Sequence, residues 1–226
     1  MSSKVARSVF VVLTLIAMAS LTYRLASAGD RAVMLPDPKM DSAPAGTGDS
    51  TAVIAGGCFW GIQAVFQHVK GVKSAISGYS GGAASTAQYE RVGTGTTGHA
   101  ESVRITYDPS QISYGQLLKI FFSVAHDPTE LNRQGPDDGP QYRSAIFYNG
   151  EEQHAVAAAY ISQLQQAKVF PRKIVTEISP LKGFYEAEGY HQDYATRHPN
   201  DPYIVINDAP KVVHLKQQFP AIYVGR

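Results

Sequence analysis

Cysteine is almost absent from this chain: Cys58 is the only one among 226 residues. No internal disulfide can therefore form, although pairing is the common use of cysteine in oxidising compartments. Tryptophan is as scarce, and the single Trp60 stands two residues after the single cysteine, in the stretch "IAGGCFWG". An excess of either charge is missing too. Twenty Lys and Arg face 19 Asp and Glu, a formal net charge of +1. Neither nucleic acid nor an anionic membrane surface is expected as the main partner. The seven histidines show no metal-ligand spacing. His191 and His198 fall on a polar helical stretch, where surface or locally hydrogen-bonded roles are expected, so no residue is assigned to a metal. "GTGTTG" lacks the Lys-Ser/Thr ending of a phosphate-cradling loop. No internal repeat or low-complexity tract follows residue 50.

What is present is the composition of a packed globular chain, 44% hydrophobic and 17% charged. Thirteen tyrosines suit a polar site that needs hydroxyl donors. At the N-terminus Lys4 and Arg7 precede the apolar run "VFVVLTLIAMASL", and Ala26-Ser27-Ala28 follows as a small-x-small cleavage site. Residues 1–28 read as a signal peptide, since the run falls short of the about 20 residues of a membrane span. Export to the periplasm is the expectation, with a membrane anchor formed by an uncleaved signal as the alternative. "GDRAVMLPDPKMDSAPAGTGDS", residues 29–50, reads as a flexible linker. One domain with an extended C-terminal tail is left over residues 51–226.

Within that domain "TAVIAGG" is a short apolar run ended by glycines, a buried strand. Ile62, Val65, Phe66 and Val69 then follow helical spacing, and Gly71 closes the helix. "KSAISGY" reads as a second strand. "HAESVRITYDP" alternates as a third, with Val103, Ile105 and Tyr107 on one face. Ser113 and Gln116 form a capping box for a helix through "YGQLLKIFFSVA". "SAIFYN" is a fourth strand, Asn149 is expected to cap a helix opened by Glu151 and Glu152, and "KIVTEIS" is a last strand. "EAEGYHQDYATRH" reads as a shorter helix. The tail from Pro199, with prolines and little periodicity, is expected to wrap the surface. The order is the split βαββαβ arrangement of a ferredoxin-like core, an α+β two-layer sandwich with a mixed sheet.

Cys58 falls where a strand ends and a helix begins. Unpaired N–H groups and the helix dipole favour negative charge there, which lowers a thiol pKa and raises its thiolate fraction. Gly56 and Gly57 leave the sulfur open to a ligand. The competing reading is a buried packing cysteine. Phe59 and Trp60 fit either core aromatics or an apolar wall for a small methyl or thioether group. Glu101 precedes Val103 and Ile105 at a spacing of two, so it shares the inward face; burial there raises its pKa and favours a neutral acid. The alternative places it, solvated, at the frayed start of the strand. Tyr89, and the loop "NRQGPDDGPQYRS" with Asp137, Asp138 and Tyr142, flank strand ends where binding groups are usually carried.

"GGCFWG", "TGHAESVRITYDP", "QYRSAIFY" and "FYEAEGYHQDY", in this order and spacing from about Thr51 to His198, resemble peptide methionine sulfoxide reductases of the A type. The resemblance implies reduction of methionine-S-sulfoxide, free or in peptides and proteins, and hence repair of oxidised proteins. It aligns Cys58 with the nucleophile and Glu101 with the acid that protonates the sulfoxide oxygen. Phe59 and Trp60 align with the wall around the substrate methyl, Tyr89 and Tyr142 with hydroxyls on that oxygen, and Asp137 with a supporting carboxylate. Tyr190 lies in a family motif and is aligned with closure of the pocket. No metal or organic cofactor is implied, and a monomer is expected. The nucleophile ends as a sulfenic acid. Many relatives carry further cysteines near the C-terminus that attack it; this chain has none, so an external thiol reductant is implied, thioredoxin-like, glutaredoxin-like or a small thiol. Two rival readings stand beside this one: a cysteine peptidase using Cys58 with a histidine base, and an exported module that binds oxidised methionine without turnover.

Overall fold

A computed structural model describes residues 34–42 and 48–225; residues 1–28, expected to be a signal peptide, and the rest of the expected linker lie outside the described residues. The elements are β1 (Ser50–Ala55), α1 (Phe59–Gln67), β2 (Val72–Ser80), β3 (Ala100–Tyr107), α2 (Tyr114–Ile120), β4 (Ala145–Tyr148), α3 (Glu151–Gln166), β5 (Glu177–Pro180), β6 (Phe184–Glu186) and α4 (Ala209–Gln218). The sheet order is β5-β4-β1-β3-β2-β6. β1 lies antiparallel between β3 and β4, and β2 antiparallel between β3 and β6. β5 alone runs parallel to its neighbour, β4. The inner four strands, β4-β1-β3-β2, are the expected split βαββαβ core, and β5 and β6 extend it on either edge.

Apolar periodicity explains most of these elements. Val103, Ile105 and Tyr107 of β3 are buried, as the alternation requires. Ile62, Val65 and Phe66 of α1, and Val69 just after it, are fully buried in the same cluster as Ile54 of β1 and Leu117 and Phe121 beyond. Each such side chain is worth roughly 1.5–3 kcal/mol of burial. The Ser113–Gln116 capping box forms at the start of α2, with both reciprocal bonds made. The helix then widens into a π-helical turn over Phe121–Ala125.

Four expectations are corrected. α3 is capped by Gly150 at φ +89°, not by Asn149; Asn149 instead donates its backbone N–H to Gln153 Oε1 at 2.9 Å. In "EAEGYHQDYATRH" only Tyr194–Arg197 is helical, because Phe184–Glu186 pairs with β2 and Asp193 takes φ +56°. The tail is not irregular: Ile204–Asp208 forms a wide helical turn that leads into α4. Pro210, one of the prolines of that tail, sits in the first turn of α4, where its missing N–H costs nothing. Finally, part of the linker is docked. Leu35 is buried in the core, Pro36 O accepts from the Tyr160 hydroxyl at 2.9 Å, Asp37 pairs with Lys119 at 2.7 Å, and Asp41 accepts from Gly115 N–H at 2.7 Å. Residues 34–42 thus form a strap over α2 and α3. Among the described residues no helix is long and apolar enough to cross a membrane.

Candidate active site

β1 ends at Ala55, and the chain turns through Gly56 and Gly57 to place Cys58 as the residue preceding α1. Gly57 holds φ +94°, a region that side chains resist, and its N–H donates to Tyr142 O at 3.1 Å. That bond ties the thiol's loop to the loop carrying the tyrosine. Gly61 serves close approach: a Cβ there would run into an Asp208 carboxylate oxygen and come within 2.8 Å of Lys211 Nζ. Asp208 and Lys211, paired at 3.0 Å, come from the C-terminal segment, and Asp208 is 1% exposed. The glycines of "GGCFWG" therefore set both the turn before the thiol and the seat of the C-terminal helix behind it.

Cys58 and Glu101 are both buried. Glu101 lies opposite Tyr79 in the β2–β3 ladder, and its Oε2 accepts the Phe59 backbone N–H at 3.1 Å. The acid therefore reaches the first turn of α1, one residue beyond the thiol. Burial pushes its pKa up to about 8, against the Phe59 N–H bond that favours the anion. At neutral pH it is mostly the neutral acid, as its place on the inward face implies. The direction expected for Cys58 is reversed. Burial first, then the carboxylates of Glu101 and Asp208, lift its pKa well above the ordinary thiol value; the Trp60 backbone N–H and Lys211 pull the other way and lose. The helix terminus is there, but desolvation outweighs it, so the resting group is a thiol.

The hydroxyls gather around this pair. Tyr89 and Tyr142 are raised by burial and then by the charge of Glu101, with Cys58 also acting on each, so both stand as neutral donors beside the same two groups. Asp137, half-buried and raised by burial, accepts a hydrogen bond from the Tyr203 hydroxyl. Tyr203 also feels Cys58, after burial the largest influence on it. Phe59 is 1% exposed, packed against Tyr79 at 5.9 Å and His191 at 5.1 Å between ring centres, so it backs the site from the core. Trp60 is partly exposed. Tyr194 stacks on its face at 3.8 Å and Tyr203 meets it edge-on at 5.9 Å, which makes a three-ring wall. Tyr190 is 56% exposed and lies over His191 at 4.3 Å, on the outside of the cluster.

Sequence reasoning missed several members. His191 is not at the surface: it is 2% exposed, and its Nδ1 accepts the Trp60 indole N–H at 3.3 Å. Tyr194 lay inside the motif "EGYHQDY" but nothing in its spacing singled it out. Tyr203, Asp208 and Lys211 sat in the segment that showed no periodicity. Asp138, unlike Asp137, forms no hydrogen bond of its carboxylate with the cluster; it pairs by its backbone with Arg133 in a two-residue hairpin. A peptidase base is not in evidence. Both ring nitrogens of His126 are engaged, by Phe121 O at 3.2 Å and Ser144 Oγ at 2.7 Å, and His191 faces the indole. Among the described residues no group of three or more His, Cys, Asp or Glu is placed to hold a metal ion.

The arrangement joins a buried thiol to a neutral carboxylic acid and a ring of hydroxyl donors beside an aromatic wall. Comparison with known proteins gives the same direction. The family model for peptide methionine sulfoxide reductase matches residues 50–222. Peptide methionine sulfoxide reductase MsrA 2 of Mesorhizobium japonicum is 63% identical over 179 residues, 79% of this chain and 92% of that protein. The protein of the same name from Synechocystis is 53% identical over 189 residues, 82% of this chain and 88% of that one. The crystal structure of Mxr1 from Saccharomyces cerevisiae in reduced form matches with a TM-score of 0.62 and 33% identity, over 70% of this chain and 91% of that chain.

Proposed function

Since the chain belongs to the peptide methionine sulfoxide reductase family and is an oxidoreductase acting on sulfur, we propose that Cys58 reduces the S epimer of methionine sulfoxide and is left as a sulfenic acid. The observation that carries this is the buried Glu101, one hydrogen bond from the first turn behind the thiol and neutral at physiological pH. A sulfoxide oxygen becomes a leaving group only when protonated, and a carboxyl held neutral by burial is the donor for it. The Cys58 sulfur attacks the sulfoxide sulfur while Glu101 and the hydroxyls of Tyr89 and Tyr142 hold and protonate the oxygen. The oxygen passes to Cys58, methionine departs as the thioether, and the thiol proton restores the acid. Asp137 fixes the Tyr203 hydroxyl, and Trp60 with its stacked tyrosines supplies the apolar surface for the substrate methyl.

With no second cysteine, the sulfenic acid is reduced from outside. One external thiol expels water to give a mixed disulfide, and a second releases Cys58. A small thiol, or a protein thiol of the thioredoxin or glutaredoxin kind, supplies these two equivalents. Lys4, Arg7 and the apolar run after them support an exported enzyme that repairs oxidised proteins in the periplasm. The test is a single turnover on each sulfoxide epimer without reductant. The S epimer should release one equivalent of methionine per enzyme, with a gain of one oxygen by intact mass and labelling by a sulfenic-acid reagent. Equal use of both epimers, or a disulfide-linked dimer as main product, would sink the scheme.

A further inference from the structure

The methionines of this chain are distributed in a way the catalytic site does not require. They stand at positions 1, 18, 34 and 40, so residues 41–226 contain none. Met34 and Met40 are 62% and 48% exposed, on a strap that is neither helix nor strand. The segment between them is fixed by Leu35 in the core, by the bonds that Tyr160 and Lys119 donate to Pro36 O and the Asp37 carboxylate, and by the Lys39 N–H donated to Gln163 Oε1. The two methionines are therefore exposed on an irregular segment, while residues 41–226 offer an oxidant no thioether at all. An exposed thioether takes one oxygen atom from a peroxide and becomes a polar sulfoxide.

We propose that Met34 and Met40 are an oxidation site of this protein, and that their sulfoxides are reduced by Cys58 of a second copy of the chain. This rests on the reductase reading given above. In the first step hydrogen peroxide gives its oxygen to the thioether and leaves as water. In the second the Cys58 thiol of the other copy takes that oxygen and becomes a sulfenic acid, restoring methionine; two equivalents of external thiol then return the cysteine, with release of water. A second copy is proposed because the Tyr160, Lys119 and Asp41 contacts bond the strap to α2 and α3, whereas Cys58 opens α1. Met40 lies between Lys39 and Asp41, both held, and Met34 lies next to the buried Leu35.

The test uses full-length Cys58→Ser protein as substrate, because it cannot reverse its own oxidation. It is treated with hydrogen peroxide, mapped by peptide mass, then mixed with a substoichiometric amount of wild-type chain and dithiothreitol, with free methionine-S-sulfoxide in the same tube. Met34 and Met40 should each gain one oxygen. About half of each, the S epimer, should then be lost, at a rate proportional to the wild-type concentration. If the free sulfoxide is consumed while both strap sulfoxides persist, or if neither methionine takes up oxygen, the proposal falls and the reductase reading stands. If the free sulfoxide is untouched, both fall.

Discussion

Replacing Glu101 by Gln tests the acid and its cost together. The side chain is buried and its pKa is lifted from 4.5 to about 8, chiefly by burial. In the unfolded chain the same carboxyl ionises near its ordinary value. Between these two values the folded state holds a proton that the unfolded state has lost, so stability falls as pH rises. Worked through, the penalty is roughly 2 kcal/mol at pH 6 and roughly 5 kcal/mol at pH 9, as an upper figure. Glutamine keeps an oxygen for the Phe59 N–H and carries no proton to lose, so it removes that slope. Urea unfolding of both proteins from pH 6 to 9 should show the wild type losing about 3 kcal/mol relative to the variant. The same variant should slow the reductive step by about 10² to 10⁴, because an amide cannot supply the proton. Parallel stability curves over that range, or coincident pH–rate profiles, would refute the assignment of Glu101 as a buried neutral acid.

Cys58→Ser should lose reduction altogether and keep its fold, since a hydroxyl has neither the nucleophilicity nor the oxidation states of sulfur; circular dichroism and a turnover assay check this, and activity within about tenfold of wild type would exclude the thiol. Trp60→Ala removes the ring on which Tyr194 stacks and should raise KM for small methyl sulfoxides more than it lowers kcat; unchanged affinity would sink the pocket wall. Gly61→Ala drives a methyl into Asp208 and Lys211 and should loosen α4, seen as faster proteolysis of the tail, with α1 itself intact by hydrogen exchange. Below about pH 6 the chain should lose stability through His126, whose pKa burial lowers to about 3. Its folded form resists a proton that the unfolded form accepts, and His126→Gln should flatten the acid limb of a pH titration of unfolding.

Signals carried by neighbouring residues were readable in the sequence. The alternation of β3 put Glu101 on the inward face, the Ser113–Gln116 pair marked the start of α2, and the glycines of "GGCFWG" marked a turn next to a single thiol. Signals that depend on closure of the whole chain were not. The resting state of Cys58 is decided by how completely α1, β3 and the C-terminal segment exclude water, and the local helix end pointed the other way. The prolines of the tail counted against regular structure there, yet Pro210 sits in the first turn of α4, because a proline at the start of a helix and one that ends it are the same letter. His191 read as polar and exposed, yet the indole of Trp60, 131 residues earlier, supplies its partner. Leu35 ends a four-residue apolar run, Ala32 to Leu35, and prolines and aspartates follow it, too little to announce a docked strap.

The two outermost strands carry a further consequence. β5 has four residues and ends at Pro180, and β6 has three. Each carries a glutamate held by a basic residue of the sheet or the loop beside it, Glu177 by Arg143 and Glu186 by Arg104. A sheet margin with free N–H and C=O groups is a template on which another extended chain can assemble. On the proposed reading, in which oxidised proteins are substrates, the enzyme would meet such chains. Short, charged margins, one of them ended by Pro180, leave little length on which to pair, so on that reading an oxidised chain would present a side chain to the site without fibrous co-assembly along the sheet.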